Sequence, residues 1–187
     1  MKSVHLLFFI YLRGDLHHLI KVSCKTYKSV FNISHAVEHK GHNYVPWRKV
    51  SGWKCVRCGR CCREYLVSVS YSEALMLSLK YSAPIIKIDN KYYLMPRIDG
   101  KCPFLTYIGP IAYCKIYYDR PTVCRLYPFY VSKTPTYGRA SEAEFEYGDE
   151  ILYVYVDSLC LGVNKAKNIR EVAKFYIHLW SRYTRVS

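Results

Sequence analysis

Apolar and polar positions change texture at Pro46, and the periodic part of the chain lies after it. Val67-Ser-Val-Ser70 alternates with the period of a strand that buries one face. Ser70-Tyr-Ser-Glu73 is a capping-box pattern and predicts a helix from Glu73 to about Lys80, with Leu75, Met76 and Leu79 on one side and Pro84 as its stop. Four short β-prone runs follow, Ile85 to Ile88, Tyr92 to Met95, Phe104 to Ile108 and Ala112 to Tyr118. Asp89-Asn90, Asp99-Gly100 and Gly109-Pro110 separate them as turn signals, so the runs read as hairpins. Arg120-Pro-Thr-Val-Cys124 predicts one helical turn, because proline at the first helical position gives up an N–H that has no intrahelical partner. Glu142, Glu144, Glu146, Asp149 and Glu150 read as an acidic loop ahead of a strand, Ile151 to Val156, that delivers Cys160 at its exit. The final element is an amphipathic helix: Ile169, Val172, Ala173, Tyr176, Leu179, Trp180 and Tyr183 recur at helical spacing.

These elements predict an α+β fold, with small antiparallel hairpins and two helices around a cysteine-lined metal or cluster site. Residues 46–187 form the expected cysteine cluster domain, and residues 1–45 an N-terminal appendage. The appendage carries six of the seven histidines and no clear periodicity, so it is expected to be disordered or absent from a native protein translated from a later start. Its apolar run from Leu6 to Leu12 is too short to span a bilayer and has no small-residue cleavage site. The expectation is a cytoplasmic protein with no membrane span.

Composition adds a globular apolar fraction of 51% and a net charge of +14, which attracts anionic partners such as nucleic acid. The last helix offers a basic face for this through Lys165, Lys167, Arg170, Lys174, Arg182 and Arg185, although a solvated face is the plainer use of such a pattern. Lys54, Arg57, Arg60 and Arg63 bracket the first cysteines, where their charge offsets thiolates. The nine glycines are scattered singly, so dinucleotide, phosphate and serine-nucleophile sites find no motif, and no catalytic residue is assigned.

The chemistry concentrates in the sulfurs. Cys55-Val-Arg-Cys58-Gly-Arg-Cys61-Cys62 presents thiolates from one tight loop to a soft cation, with Gly59 at a point that needs close backbone approach. Adjacent Cys61 and Cys62 are expected to diverge, one joining Cys55 and Cys58 and the other reaching Cys102, Cys114, Cys124 or Cys160. With the appendage set aside, His178 is the one histidine left, so the site reads as all-thiolate, which means structural zinc or an iron–sulfur cluster. The single C-x-x-C run and the remote Cys102-Pro103 favour iron–sulfur, of the 4Fe-4S kind, and disulfides are the competing use of these residues. Cys24 reads as a stray thiol. Arg120 and Arg125 suit an anion, cluster sulfurs, or a salt bridge with Asp119 or Glu64.

Four ordered submotifs carry a family resemblance: Cys55-x-x-Cys58-x-x-Cys61-Cys62, Cys102-Pro-Phe-Leu, Cys114-Lys-Ile-Tyr-Tyr-Asp-Arg-Pro and Cys124-Arg-Leu-Tyr-Pro-Phe. From about Trp53 to Phe129 the chain resembles the CxxCxxCC family of YkgJ-type cysteine cluster proteins, described as zinc- or iron-chelating, with Cys160 as a late member. The resemblance implies a metal or iron–sulfur site formed by Cys55, Cys58, Cys61, Cys62, Cys102, Cys114, Cys124 and Cys160, with a structural or redox role and an unidentified protein or redox partner. One branch of relatives resembles flagellin lysine N-methylases, which implies a cluster-dependent methyltransferase acting on protein lysine as one alternative. A zinc-ribbon-like nucleic-acid binder is the other.

Overall fold

The computed structural model describes residues 42–184, together with the backbone pairing of β1 (His5–Leu6) and β2 (Val22–Ser23). The rest of the appendage, Cys24 included, lies outside the described residues. The later strands are β3 (Tyr44–Pro46), β4 (Ser68–Val69), β5 (Ile85–Ile88), β6 (Lys91–Leu94), β7 (Leu105–Ile108), β8 (Ile111–Cys114), β9 (Phe129–Ser132), β10 (Glu144–Tyr147) and β11 (Glu150–Asp157). Helices are α1 (Cys61–Glu64), α2 (Tyr71–Tyr81), α3 (Thr122–Leu126), α4 (Ala140–Ala143) and α5 (Ile169–Thr184). The mixture of helices and antiparallel strands is the α+β class read from the sequence. The chain divides into two compact units, Met1–Lys40 with Arg63–Pro103, and Gly41–Cys62 with Phe104–Ser187.

In the first unit β6 lies between β4 and β5 in a three-stranded antiparallel sheet. The capping box opens α2 as expected: Ser70 Oγ accepts from the Glu73 amide at 3.3 Å, and Glu73 Oε2 accepts from the Ser70 amide at 2.8 Å. The buried face differs from the expected one. Leu75 and Leu79 are exposed, while Ala74 and Leu77 are buried. The cap fixes where the helix begins, and small Ala74 lets it lie close to a sheet whose Val69, Ile86 and Leu94 are also buried.

The second unit is organised by β11, the longest strand. One edge of β11 is shared by β10, paired with residues 150–153, and β3, paired with residues 155–157. The other edge holds β9, paired with residues 153–156. Val154, Tyr155 and Val156 are therefore enclosed, and Leu152, Phe129, Val131, Phe145, Trp47 and Val50 complete the core beside them. The amphipathic helix α5 closes this core with Ala173, Tyr176 and Ile177, three positions on or beside its predicted apolar stripe. β7 and β8 form a separate two-stranded hairpin.

Three sequence readings in this unit need correction. The acidic stretch is a turn of helix and strand β10 rather than a loop: Glu144-Phe145-Glu146-Tyr147 alternates, burying Phe145 and exposing Glu146 at the solvent edge. The run from Ala112 to Tyr118 stops as a strand at Cys114 and continues as a 3₁₀ turn at Tyr117–Asp119. Strand β9 carries no period-2 signal strong enough to stand out beside Pro128, yet it pairs along one edge of the central strand β11 and buries Phe129 and Val131. Among the described residues no helix is long and apolar enough to cross a membrane.

Candidate metal centre

Within the second unit, the segment that carries Cys55, Cys58, Cys61 and Cys62 is held from two directions. On one side the Lys54 amide donates to the Gly162 carbonyl (3.1 Å), the Asn164 amide donates to the Gly52 carbonyl (2.8 Å), and Trp53 pairs with Val163. Gly162 is required there, since a Cβ on it would stand 2.3 Å from the Lys54 carbonyl oxygen. Arg60 reaches the same region and donates to the Leu159 carbonyl. On the other side the Ala112 amide of β8 donates to the Arg57 carbonyl at 2.9 Å. The loop thus lies between the turn bearing Cys160 and the strand bearing Cys114.

Gly59 sets the second approach. It adopts φ +70°, and a Cβ there would meet the Ala112 Cβ at 2.7 Å. Gly59→Ala should cost about 2 kcal/mol from left-handed strain alone, with further loss from displacement of the loop against β8. Urea unfolding of the chelator-treated protein measures this directly; an unchanged midpoint would show that the loop is not seated against the hairpin.

The two loop attachments seat the cysteine loop beside the turn that carries Cys160 and the strand that carries Cys114. Cys61 and Cys62 Sγ atoms are 3.8 Å apart, closer than the divergence expected of neighbours, because both belong to the turn α1. The hydrogen bond from Cys62 holds the Cys61 thiol at about 7, below its ordinary range, despite burial. Burial pushes the Cys114 and Cys160 thiols up. Trp53 opposes the effect at Cys160, where its Nε1–H donates to Sγ at 3.3 Å.

None of the eight described cysteines forms a disulfide. Among the described residues no three Cys, His, Asp or Glu side chains already converge as metal ligands. Cys102 belongs to the first unit, and Cys124 lies on α3 with its amide bonded to the Pro121 carbonyl at 2.9 Å. Histidine enters in an unanticipated way. His42 Nδ1 lies 3.0 Å from Asp157 Oδ2, and Asp157 is completely buried at the end of β11, three residues before Cys160. His178 is bonded instead to the Tyr147 hydroxyl, 3.2 Å away.

Two further side chains at the site went unmarked or half-marked in the sequence. Arg120 is fixed by an Nε–H bond to the Tyr117 carbonyl (3.0 Å) and by stacking 4.0 Å above the Tyr117 ring. Its charge favours the ionised forms of Cys61 and Cys114. Among the described residues neither Arg120 nor Arg125 takes up the salt bridge with Asp119; Arg125 Nε bonds the Arg120 carbonyl at 2.7 Å. Tyr176, projecting from α5, stacks on Phe129 at 4.2 Å and meets the edge of Trp53 at 5.7 Å. Burial raises the affinity of its hydroxyl for the proton, and the charges of Arg120, Cys55 and Cys160 all bear on that hydroxyl.

The donor chemistry fits a soft metal: eight reduced sulfurs among the described residues, with an indole N–H already committed to one of them. Comparison with known families gives one match, in which residues 54–151 align with the CxxCxxCC model, described as "Putative zinc- or iron-chelating domain". No curated protein and no solved structure matches the chain.

Proposed function

Because the chain belongs to the CxxCxxCC family of zinc- or iron-chelating domains, we propose that its metal-binding role is exercised through an iron–sulfur cluster held by Cys58, Cys61, Cys114 and Cys160. One observation carries this reading: the cysteine loop is hydrogen-bonded through Lys54 to Gly162, next to Cys160, and through Arg57 to Ala112, on the strand that ends at Cys114, so that thiols from three distant chain segments flank one loop. Four thiolates are the full complement of a 4Fe-4S cluster. Cys55 and Cys62 lie on the same loop and extend the set. Binding joins these chain segments through one metal centre, so folding free energy and metal affinity are linked. The cluster supplies electron transfer or structural support; the protein supplies the thiolates, the Trp53 hydrogen bond and positive charge at Arg120.

Purification without air should yield a brown protein with the broad visible absorption of thiolate-to-iron charge transfer, together with iron and acid-labile sulfide in about equal amounts. A colourless protein holding stoichiometric zinc would overturn the iron assignment. A protein holding neither metal would overturn the site itself.

A further inference from the structure

The outer face of the second unit's sheet is built of tyrosine. Leu152, Val154 and Val156 of β11 turn into the core, so the alternate residues Tyr153, Tyr155 and Asp157 face the other way. Tyr130 of β9 stands opposite Tyr155, and Tyr44 of β3 stands opposite Asp157, on that same face. A solvated sheet face needs only polar or charged side chains, yet here rings touch one another. Tyr44 stacks on His42 at 5.0 Å and on Tyr137 at 5.1 Å, and Tyr130 meets Tyr44 at 5.5 Å and Tyr137 at 5.6 Å. Tyr155 is the floor of the cluster: it is fully buried, its ring meets that of Tyr137 at 5.3 Å, and its hydroxyl accepts from the Thr136 amide at 2.8 Å. Gly138, at φ +66°, lies so close to Pro46 that a Cβ would stand 3.3 Å from the proline ring. These two attachments fix the loop that carries Tyr137. The rings nevertheless stay partly open, with Tyr130 36% exposed, Tyr137 37% and the His42 side chain 35%.

We propose that this cluster is a stacking platform for single-stranded nucleic acid, with bases on the open faces of Tyr130, Tyr137 and His42 and phosphates on Arg139 and Lys133. Aromatic faces accept any base, and rings already fixed by their neighbours lose little freedom on binding. Lys133 and Arg139 bracket Tyr137 on its own loop, and both are exposed. Arg139 makes no ion pair among the described residues. Lys133 lies 3.7 Å from Glu150, but both side chains are mostly exposed, so solvent screens the pair and leaves the ammonium available. The neighbouring acids do not occupy the platform. β10, with Glu144 and Glu146, pairs with residues 150–153 of β11, whereas the rings lie over residues 155–157, and Glu142 is engaged by Lys49 at 3.0 Å. The net charge of +14 adds attraction for a polyanion. Single strands are the form that fits, because a duplex keeps its bases stacked on one another and offers no free ring face. The platform uses none of the cysteines.

Fluorescence anisotropy of the full-length protein with a labelled oligothymidylate of about ten nucleotides, long enough for one platform, provides the test. The parent should bind, and its affinity should fall as salt rises. Tyr137→Ala and Tyr130→Ala should each weaken binding about 10-fold, while Tyr137→Phe, which keeps the ring, should bind like the parent. Arg139→Gln should reduce the slope of log affinity against log salt by about 0.7, the share of one phosphate contact on a single strand. Lys174→Gln, on the exposed basic face of α5, should leave the affinity unchanged. Circular dichroism of each variant separates lost stacking from lost fold; should Tyr130→Ala unfold, the comparison of Tyr137→Ala with Tyr137→Phe decides, because that ring stands on a loop. A parent that does not bind the oligonucleotide, or that binds a duplex of the same length as tightly, would overturn the platform. So would an affinity that follows Lys174 and ignores Tyr137, since charge alone would then hold the strand.

Discussion

Replacing Cys58 by serine is expected to remove metal binding and to lower the melting temperature in the same step. Cys58 lies on the loop that is seated beside the Cys160 turn and is one of the four ligands proposed above, so its loss leaves the site one thiolate short. Serine keeps the size and discards the soft, readily ionised ligand. A metal that binds the folded chain alone stabilises it by about 4 kcal/mol at a thousandfold excess over Kd. For a chain of this length that corresponds to a fall of about 10 °C. Metal analysis and thermal unfolding of parent and variant, each with and without chelator, provide the check. Chelator should bring the parent down to the melting point of Cys58→Ser and leave the variant where it is. If Cys58→Ser loses metal yet melts like the loaded parent, the site contributes chemistry alone and no folding energy; if it keeps its metal, Cys58 is not a ligand.

How much of this was legible beforehand depended on the range of the interaction involved. Local signals worked well: the Ser70–Glu73 capping box set the start of α2, and the spacing from Ile169 to Tyr183 set α5, because both depend on neighbours within one or two helical turns. The cysteine spacing marked the loop for the same reason. Signals failed where a partner decides the outcome. Leu75 and Leu79 look like a core stripe, but the sheet beneath α2 accepts Ala74 and Leu77 instead. The acidic residues of β10 conceal a strand until Phe145 is seen in the core opposite Leu152. At the site, no pattern within the sequence tells which distant cysteines the loop lies beside, since that follows from Lys54 bonding to Gly162 and Arg57 to Ala112. Tyr176 shows the local signal at its best, since helical spacing explains its burial. His42 was set aside with the appendage, yet Tyr44–Pro46 pairs with β11 and brings the imidazole to Asp157.

That contact supports the second large effect, expected from Asp157→Ala. Asp157 is fully buried, and its carboxylate accepts from the Leu159 amide (3.1 Å), the Asn43 amide (3.2 Å) and His42 Nδ1 (3.0 Å). Its backbone serves two more bonds, donating to the Pro128 carbonyl (2.9 Å) and accepting from the Cys160 amide (3.0 Å). Alanine keeps the backbone bonds and strands the donors that converge on the side chain. Each buried donor left without a partner costs about 1–3 kcal/mol, so the total loss should be about 3 kcal/mol or more once partial solvent access at His42 is allowed for. Asp157→Asn, which keeps an acceptor oxygen for the two amides, should recover more than half of it. The effect should reach the sulfur site as well. Leu159 and Cys160 belong to the turn that Asp157 anchors, and Trp53 meets Cys160 across that turn. Cobalt affinity should therefore fall in Asp157→Ala and largely return in Asp157→Asn. Urea unfolding of the metal-free variants isolates the folding cost from the metal contribution. Equal stability of Asp157→Ala and the parent without metal would mean that the carboxylate holds neither the strand end nor the turn, and that Cys160 is positioned by the Lys54–Gly162 pairing alone.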